Sequence, residues 1–107
     1  MSNSTPVVSI LMNCRNAENY LKEAITSVFN QTYKDWEIVF FDNNSIDNSA
    51  EIAKSFGSKL KYFNSNKSLD LGEARYEASL KATGKYLAFL DCDDIWFANK
   101  LQNQINI

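Results

Sequence analysis

Histidine is absent from the 107 residues. That removes histidine-based catalytic triads and most zinc sites. Glycine is scarce, with three in the chain, and neither G-x-G-x-x-G nor G-x-x-x-x-G-K-[ST] occurs. Dinucleotide cofactors and P-loop chemistry are therefore set aside, and a phosphorylated ligand would need a cation held on acidic residues to neutralise it. No apolar run approaches the ~20 residues of a membrane span. The polar start, Met1 to Pro6, lacks the charged-then-apolar layout of a signal peptide. A cytoplasmic setting is the default expectation. Cysteine is limited to Cys14 and Cys92, far apart in sequence. Both read as free thiols, since a cytosolic chain of this size rarely relies on one disulfide. A net charge of −2 with no clustered basic stretch argues against nucleic acid as a partner. Repeats and low-complexity segments are missing too.

What is present is an ordinary globular composition, 45% hydrophobic and 22% charged, sufficient for one domain or part of one. Residues 1–6 read as a disordered tail. Val7 to Met12 is an apolar run suited to a buried strand, followed by the polar Asn13 to Asn16, with Asn16 placed to cap a helix. Tyr20, Leu21, Ala24, Ile25, Val28 and Phe29 then recur as one helix face. Trp36 to Phe41 predicts a second strand, running into the polar Asp42 to Ser45. Ser45 or Asp47 is placed to cap a short helix carrying Ile52, Ala53 and Phe56, stopped by Gly57. Leu60 to Phe63 is brief and alternating, as expected near a sheet edge. A third helix is expected from Leu69 or Gly72 to Thr83, with Gly84 as its stop. Tyr86 to Leu90 predicts a buried fourth strand, and a last helix is expected from about Trp96 through Leu101 and Ile105.

Strand and helix alternate with short connections. The expected class is α/β, a parallel, Rossmann-like three-layer α/β/α sheet. Ligands of such sheets bind at the carboxyl ends of the strands, where strand order reverses. The fourth strand ends in Asp91-Cys92-Asp93-Asp94, three carboxylates within four residues. Such charges repel unless something positive lies between them. One reading is a solvated turn capping the next helix. The other is a hard-metal site, because oxygen ligands suit Mg²⁺ or Mn²⁺. Polar clusters also follow strands one and two, and three such clusters at one sheet edge favour a shared crevice over an isolated turn.

These segments resemble the N-terminal half of the family 2 inverting glycosyltransferases, of GT-A fold. The resemblance rests on Val8-Ser-Ile-Leu-Met12 with Asn16 beyond it, Tyr20 to Tyr33, Trp36-Glu-Ile-Val39 with Asp42 to Ser49, Leu71-Gly-Glu-Ala-Arg75, Ala82 to Trp96, and Lys100-Leu-Gln102. It covers nearly all of the chain from Val7 onward, and its strength lies in the order and spacing of the segments. It implies that residues 7–107 are the donor-binding part of such an enzyme, taking a nucleotide-sugar, a UDP-sugar by preference. Nucleotide contacts are implied for Asn16, Asp42, Arg75 and Asp91, with Asp42 on the nucleobase and Asp91 on the ribose. Asp93 is implied as the ligand of a divalent ion, Mn²⁺ or Mg²⁺. Asp94 either assists or caps the last helix, and Cys92 is a spacer. Two positions depart from the family pattern: Arg15 stands where tyrosine is common, and Tyr76 where asparagine usually follows the arginine. Arg15 could reach the phosphates or pair with Asp42.

The resemblance further implies transfer of a sugar to an acceptor hydroxyl, on a glycan or lipid-linked acceptor, in bacterial surface polysaccharide synthesis at the cytoplasm or the cytoplasmic face of the membrane. The general base of the family lies well beyond the acidic motif, so no catalytic residue is expected before residue 107. The chain is expected to be a truncated donor half, inactive alone, whose uncovered apolar surface would drive homo-oligomerisation. A non-catalytic binding module of the same fold is the alternative. A receiver-type Mg²⁺-binding signalling domain fits less well, since strand one ends in Asn13-Cys14 rather than an acidic pair.

Overall fold

The computed structural model describes residues 6–105; of the expected tail over residues 1–6, all but Pro6 lies outside them. The elements are β1 (Val8–Cys14), α1 (Leu21–Phe29), β2 (Trp36–Asp42), α2 (Ser49–Lys54), β3 (Leu60–Asn64), α3 (Leu71–Lys81), β4 (Tyr86–Phe89) and α4 (Lys100–Ile105). The strands form one sheet in the order β3-β2-β1-β4, with every pairing parallel. The expected α/β architecture is therefore found, with β3 at an edge. Among the described residues no helix is long and apolar enough to cross a membrane.

Strand alternation divides the core in two. Ile10, Met12, Cys14, Ile38 and Phe40 project to the face packed by Leu21, Ala24, Ile25 and Val28 of α1 and Ala53 of α2. Leu11, Val39 and Phe41 project to the other face, against Ala74 and Ala78 of α3. β1 and β2 are buried on both faces, so their sequences run apolar with little alternation. Full burial of each Ile, Leu or Phe contributes about 1.5–3 kcal/mol, enough to make these strands the most firmly held part of the sheet.

Several boundaries differ from the sequence reading. Asn16 does not cap α1, which starts at Leu21 with Tyr20 at the N-cap and no side-chain cap. α3 has the best-defined start: Asp70 accepts from Glu73 N–H while Glu73 Oε1 accepts from Asp70 N–H, a reciprocal capping box. Gly57 does end α2 in the left-handed region, at φ 92°. Gly84 has another reason to be glycine, since a Cβ there would lie 2.7 Å from Ser9 N and Oγ. It lets the chain entering β4 pass close over β1. The last helix begins at Lys100 rather than near Trp96. β4 is not buried as expected: it is an edge strand, with Leu87 48% and Phe89 55% exposed.

One buried charge ties the amino ends of the strands together. Glu37 on β2 is 2% exposed. Its carboxylate accepts from Ser9 Oγ at 2.5 Å, Thr83 N at 2.9 Å, Thr83 Oγ1 at 3.0 Å and Lys61 Nζ at 2.7 Å. Burial alone would raise its pKa, but the hydrogen bonds from Lys61, Ser9 and Thr83 outweigh it and hold the carboxyl below its ordinary value. A lowered folded-state pKa means stability that is present above the unfolded pKa and lost as pH falls through the folded one. Glu37→Ala should destabilise the chain by about 2–3 kcal/mol at neutral pH. Lys61→Ala, at a half-exposed position, should cost about 1 kcal/mol or less. Urea unfolding followed by circular dichroism checks both, and the acid-induced loss of stability should be shallower in Glu37→Ala than in the parent.

Candidate functional site

β2 and β3 lie to one side of β1 and β4 to the other, so strand order reverses between β1 and β4. At the carboxyl ends of these two strands is a crevice of about 240 Å³, lined by Asn13, Arg15, Asn16, Tyr20, Cys92 and Asp93. The clusters after the first and fourth strands do meet there. Asn13 Oδ1 is buried without a hydrogen-bond partner among the described residues, an acceptor left for a ligand's donor or a cation. Asp91, Asp93 and Asp94 are exposed. Asp94 closes a turn through its N–H to Asp91 O, and its Oδ1 accepts from Ile95 N–H. It therefore shapes the loop and caps no helix.

The loop after β2 joins the same edge through side chain to backbone bonds. Asn16 N–H donates to Ser45 Oγ and Ile46 N–H donates to Asn16 Oδ1, both at 2.9 Å. Ala17 N–H donates to Ser49 Oγ, Glu18 N–H to Asp47 Oδ2, and Asn48 N–H to Glu18 Oε1. Asp47 also accepts from Ser49 N–H, but neither it nor Ser45 is the cap expected for α2, whose N-cap is Asn48 with no side-chain cap bond. Nothing in spacing announces this lacing; its trace in the sequence is the density of Asn, Ser and Asp between residues 42 and 49.

Asp42, for which the resemblance implied a nucleobase contact, has partners within the fold. It is 1% exposed, and its oxygens accept from Ser45 N–H at 2.9 Å and Tyr62 Oη at 2.5 Å. Burial and the acceptor Asp42 raise the Tyr62 phenol above its ordinary pKa, so it remains a donor at neutral pH. Asp42 thus fixes the β2 loop to β3. Its neighbour Asn43 makes a two-point contact with Leu69, donating to its carbonyl and accepting from its N–H. Arg75 is exposed on α3, its guanidinium 5.9 Å from the Phe89 ring, within cation–π range. It lies above β4 and does not line the crevice.

A larger groove of about 530 Å³ runs along α3, bordered by Phe63, Lys67, Tyr76 and Lys81. It holds none of the strand-end aspartates, so the crevice is the stronger candidate for phosphate and metal chemistry. A hard cation fits Asp91 and Asp93 chemically. Neither carboxylate is engaged by a hydrogen bond or ion pair among the described residues, and Mg²⁺-like ions use one or two carboxylates with phosphate and water. Among the described residues no group of three acidic or cysteine ligands is gathered into a closed cage.

The family description Glycosyl transferase family 2 matches residues 9–107. The chain belongs to this family. It is 39% identical over 102 residues to the Escherichia coli UDP-Glc:alpha-D-GlcNAc-diphosphoundecaprenol beta-1,3-glucosyltransferase WfgD, covering 94% of this chain and 40% of that protein. It is 32% identical over 110 residues to the teichuronic acid biosynthesis glycosyltransferase TuaG of Bacillus subtilis, described as putative, covering 98% of this chain and 43% of the relative. The chain thus spans less than half the length of either. The fold matches Staphylococcus aureus TarS 1-349 in complex with UDP-GlcNAc, with a TM-score of 0.89 and 25% identity over 94% of this chain and 30% of that one. A mannosyltransferase of Pyrobaculum calidifontis, solved with GDP-Man and Mn²⁺, shares the fold with a TM-score of 0.85 and 21% identity, over 96% of this chain and 32% of that one. The GT-A architecture expected from the sequence is thereby established.

In this family 2 chain the buried and exposed aspartates should separate cleanly in stability measurements. Asp42→Ala leaves Tyr62 Oη and Ser45 N–H without their acceptor and should cost about 1–3 kcal/mol. Asp91→Ala and Asp93→Ala, at exposed positions, should each stay within about 0.5 kcal/mol of the parent. Urea midpoints of the three variants measure the contrast.

Proposed function

We propose that the crevice between β1 and β4 holds the nucleoside diphosphate of a sugar donor, so that this chain is the donor-binding part of an enzyme transferring sugar to an acceptor hydroxyl. The observation that carries the reading is the meeting, at the strand-order reversal, of the exposed Asp93 with Arg15 and with Asn13, whose Oδ1 has no partner among the described residues. The names of the E. coli relative and of the TarS complex, both with uridine nucleotides, favour a UDP-sugar. The acceptor is read as a lipid-linked or glycan hydroxyl in surface polysaccharide synthesis, and the setting as the cytoplasmic face of the membrane.

Within this reading Asp93 holds a divalent ion, Mn²⁺ or Mg²⁺, with Asp91 turned to the ribose. When bound, the ion supplies positive charge against the diphosphate and eases its departure. Arg15 adds a second cation at the crevice mouth. Arg75, which lies outside the crevice above β4, is read as a contact to the part of the donor that extends over that strand. Asn16 and Asp42 contribute by holding the β1 and β2 loops in register, Asn16 through Ile46 and Asp42 through Ser45 and Tyr62. No residue of the chain is assigned as general base. The exposed apolar face of β4 completes the reading as a self-association surface between copies of this chain, built on Leu87 and Phe89.

Calorimetric titration with UDP and Mn²⁺ tests the site. Binding should weaken by about tenfold or more, about 1.4 kcal/mol, in Asp93→Ala and on chelation of the metal. Absence of binding of any nucleoside diphosphate with metal would overturn the reading. Light scattering should show mass increasing with concentration, reversed by Phe89→Lys; a clean monomer at high concentration counts against association.

A further inference from the structure

The floor of the crevice carries a feature that donor binding does not use. Cys14, the last residue of β1, is bonded through sulfur to Cys92, which stands between Asp91 and Asp93. This corrects the expectation of two free thiols; among the described residues no cysteine is free. The residues are 78 apart in sequence, and their Cα atoms are 5.9 Å apart, inside the roughly 4.4–6.8 Å span of bridged cysteines. The parallel pairing of β1 with β4 creates that proximity. Both sulfurs belong to the core on the α1 side, with Met12, Leu21 and Leu90. The bond therefore lies beneath the exposed Arg15 and Asp93 rather than in front of them.

The acidic segment is held at its two ends. Leu90 N–H donates to Leu11 O on one side, and Trp96 N–H donates to Ser27 Oγ on the other. Between them the bonds of Asp94 and Ile95 are local to the segment. Among the described residues, Cys92 is the one member of residues 91–95 bonded to the rest of the chain. The position of Asp91 and Asp93 thus depends on that sulfur.

We propose that Cys14–Cys92 is a reversible redox tether for the acidic loop, and that its closure strengthens donor binding; the second part rests on the donor-site reading. The oxidant is a low-molecular-weight disulfide of the glutathione class. One cysteine attacks it, releasing one small thiol, and the second attacks the mixed disulfide, releasing the other. The two protein thiols lose two electrons and two protons, and the oxidant leaves as two thiols. Reduction by a thiol reverses each step. Closure spares the loop the ordering cost that nucleotide and metal would otherwise meet on binding.

The test compares the chain equilibrated with oxidised or reduced glutathione, alongside a Cys14→Ser/Cys92→Ser variant. After oxidation the mass should fall by two hydrogens, and neither cysteine should be alkylated on unfolding. Amide hydrogen exchange over residues 91–95 should be about tenfold faster in the reduced chain and the double variant, with β1 and β2 unchanged. Affinity for UDP with Mn²⁺ should be about three- to tenfold weaker in those two forms, and insensitive to glutathione in the variant. Free thiols after oxidation, or equal exchange in both states, would overturn the tether. Equal UDP affinity in both states would overturn its control of binding. UDP failing to bind in either state would sink the donor-site reading instead, while an exchange contrast would still support the tether.

Discussion

β1 is hydrogen-bonded along both edges, to β2 over its whole length and to β4 over its first half. That double pairing is the constraint on which the site depends. The parallel register sets Cys14 beside Asp42 and carries Leu90 to Leu11, so the loops after three strands are delivered to one end of the sheet. A one-residue slip would turn every β1 side chain to the opposite face, exchanging the α1 core for the α3 core. Burial on both faces makes such a slip costly, and the Ser9–Glu37–Thr83 contacts fix the register again from the amino ends.

Most of the elements were legible because apolar spacing is a direct record of burial. The paired apolar positions from Tyr20 to Phe29 located the body of α1, although the cap expected at Asn16 set its start too early, and continuous apolar runs located β1 and β2. β4 was harder. Tyr86 to Leu90 is as apolar as a strand covered on both faces, yet Leu87 and Phe89 are left about half exposed. Composition reports that a side chain prefers burial; it does not report what supplies the cover. The ends of helices also escaped, because Asn16 satisfies the turn chemistry of a cap while its side chain bonds a distant backbone instead.

The site was legible as a place more than as a set of roles. Strand-end polarity located the crevice, since the strand-order rule depends only on topology. Whether a particular aspartate faces solvent or a partner depends on contacts that are remote in sequence. Asp42 is held by Tyr62 and Asp93 is not, and no local pattern distinguishes them. The cysteine pair failed to register for the same reason: the usual redox argument weighs compartment and number, whereas proximity came from the β1–β4 pairing.

The scarcity of glycine leaves its mark on the crevice loops. Asn16, Asn44 and Asn66, one after each of β1, β2 and β3, take left-handed φ values of 53°, 58° and 65°. Asparagine tolerates that conformation better than most residues, and unlike glycine it brings an amide to the turn. At Asn16 the amide is used, since it receives the N–H of Ile46. One residue therefore carries both the backbone bend and the cross-loop bond. Glycine at position 16 would keep the bend and lose the bond, and a β-branched residue would lose both, so the rim of this crevice can drift in sequence only along a narrow path.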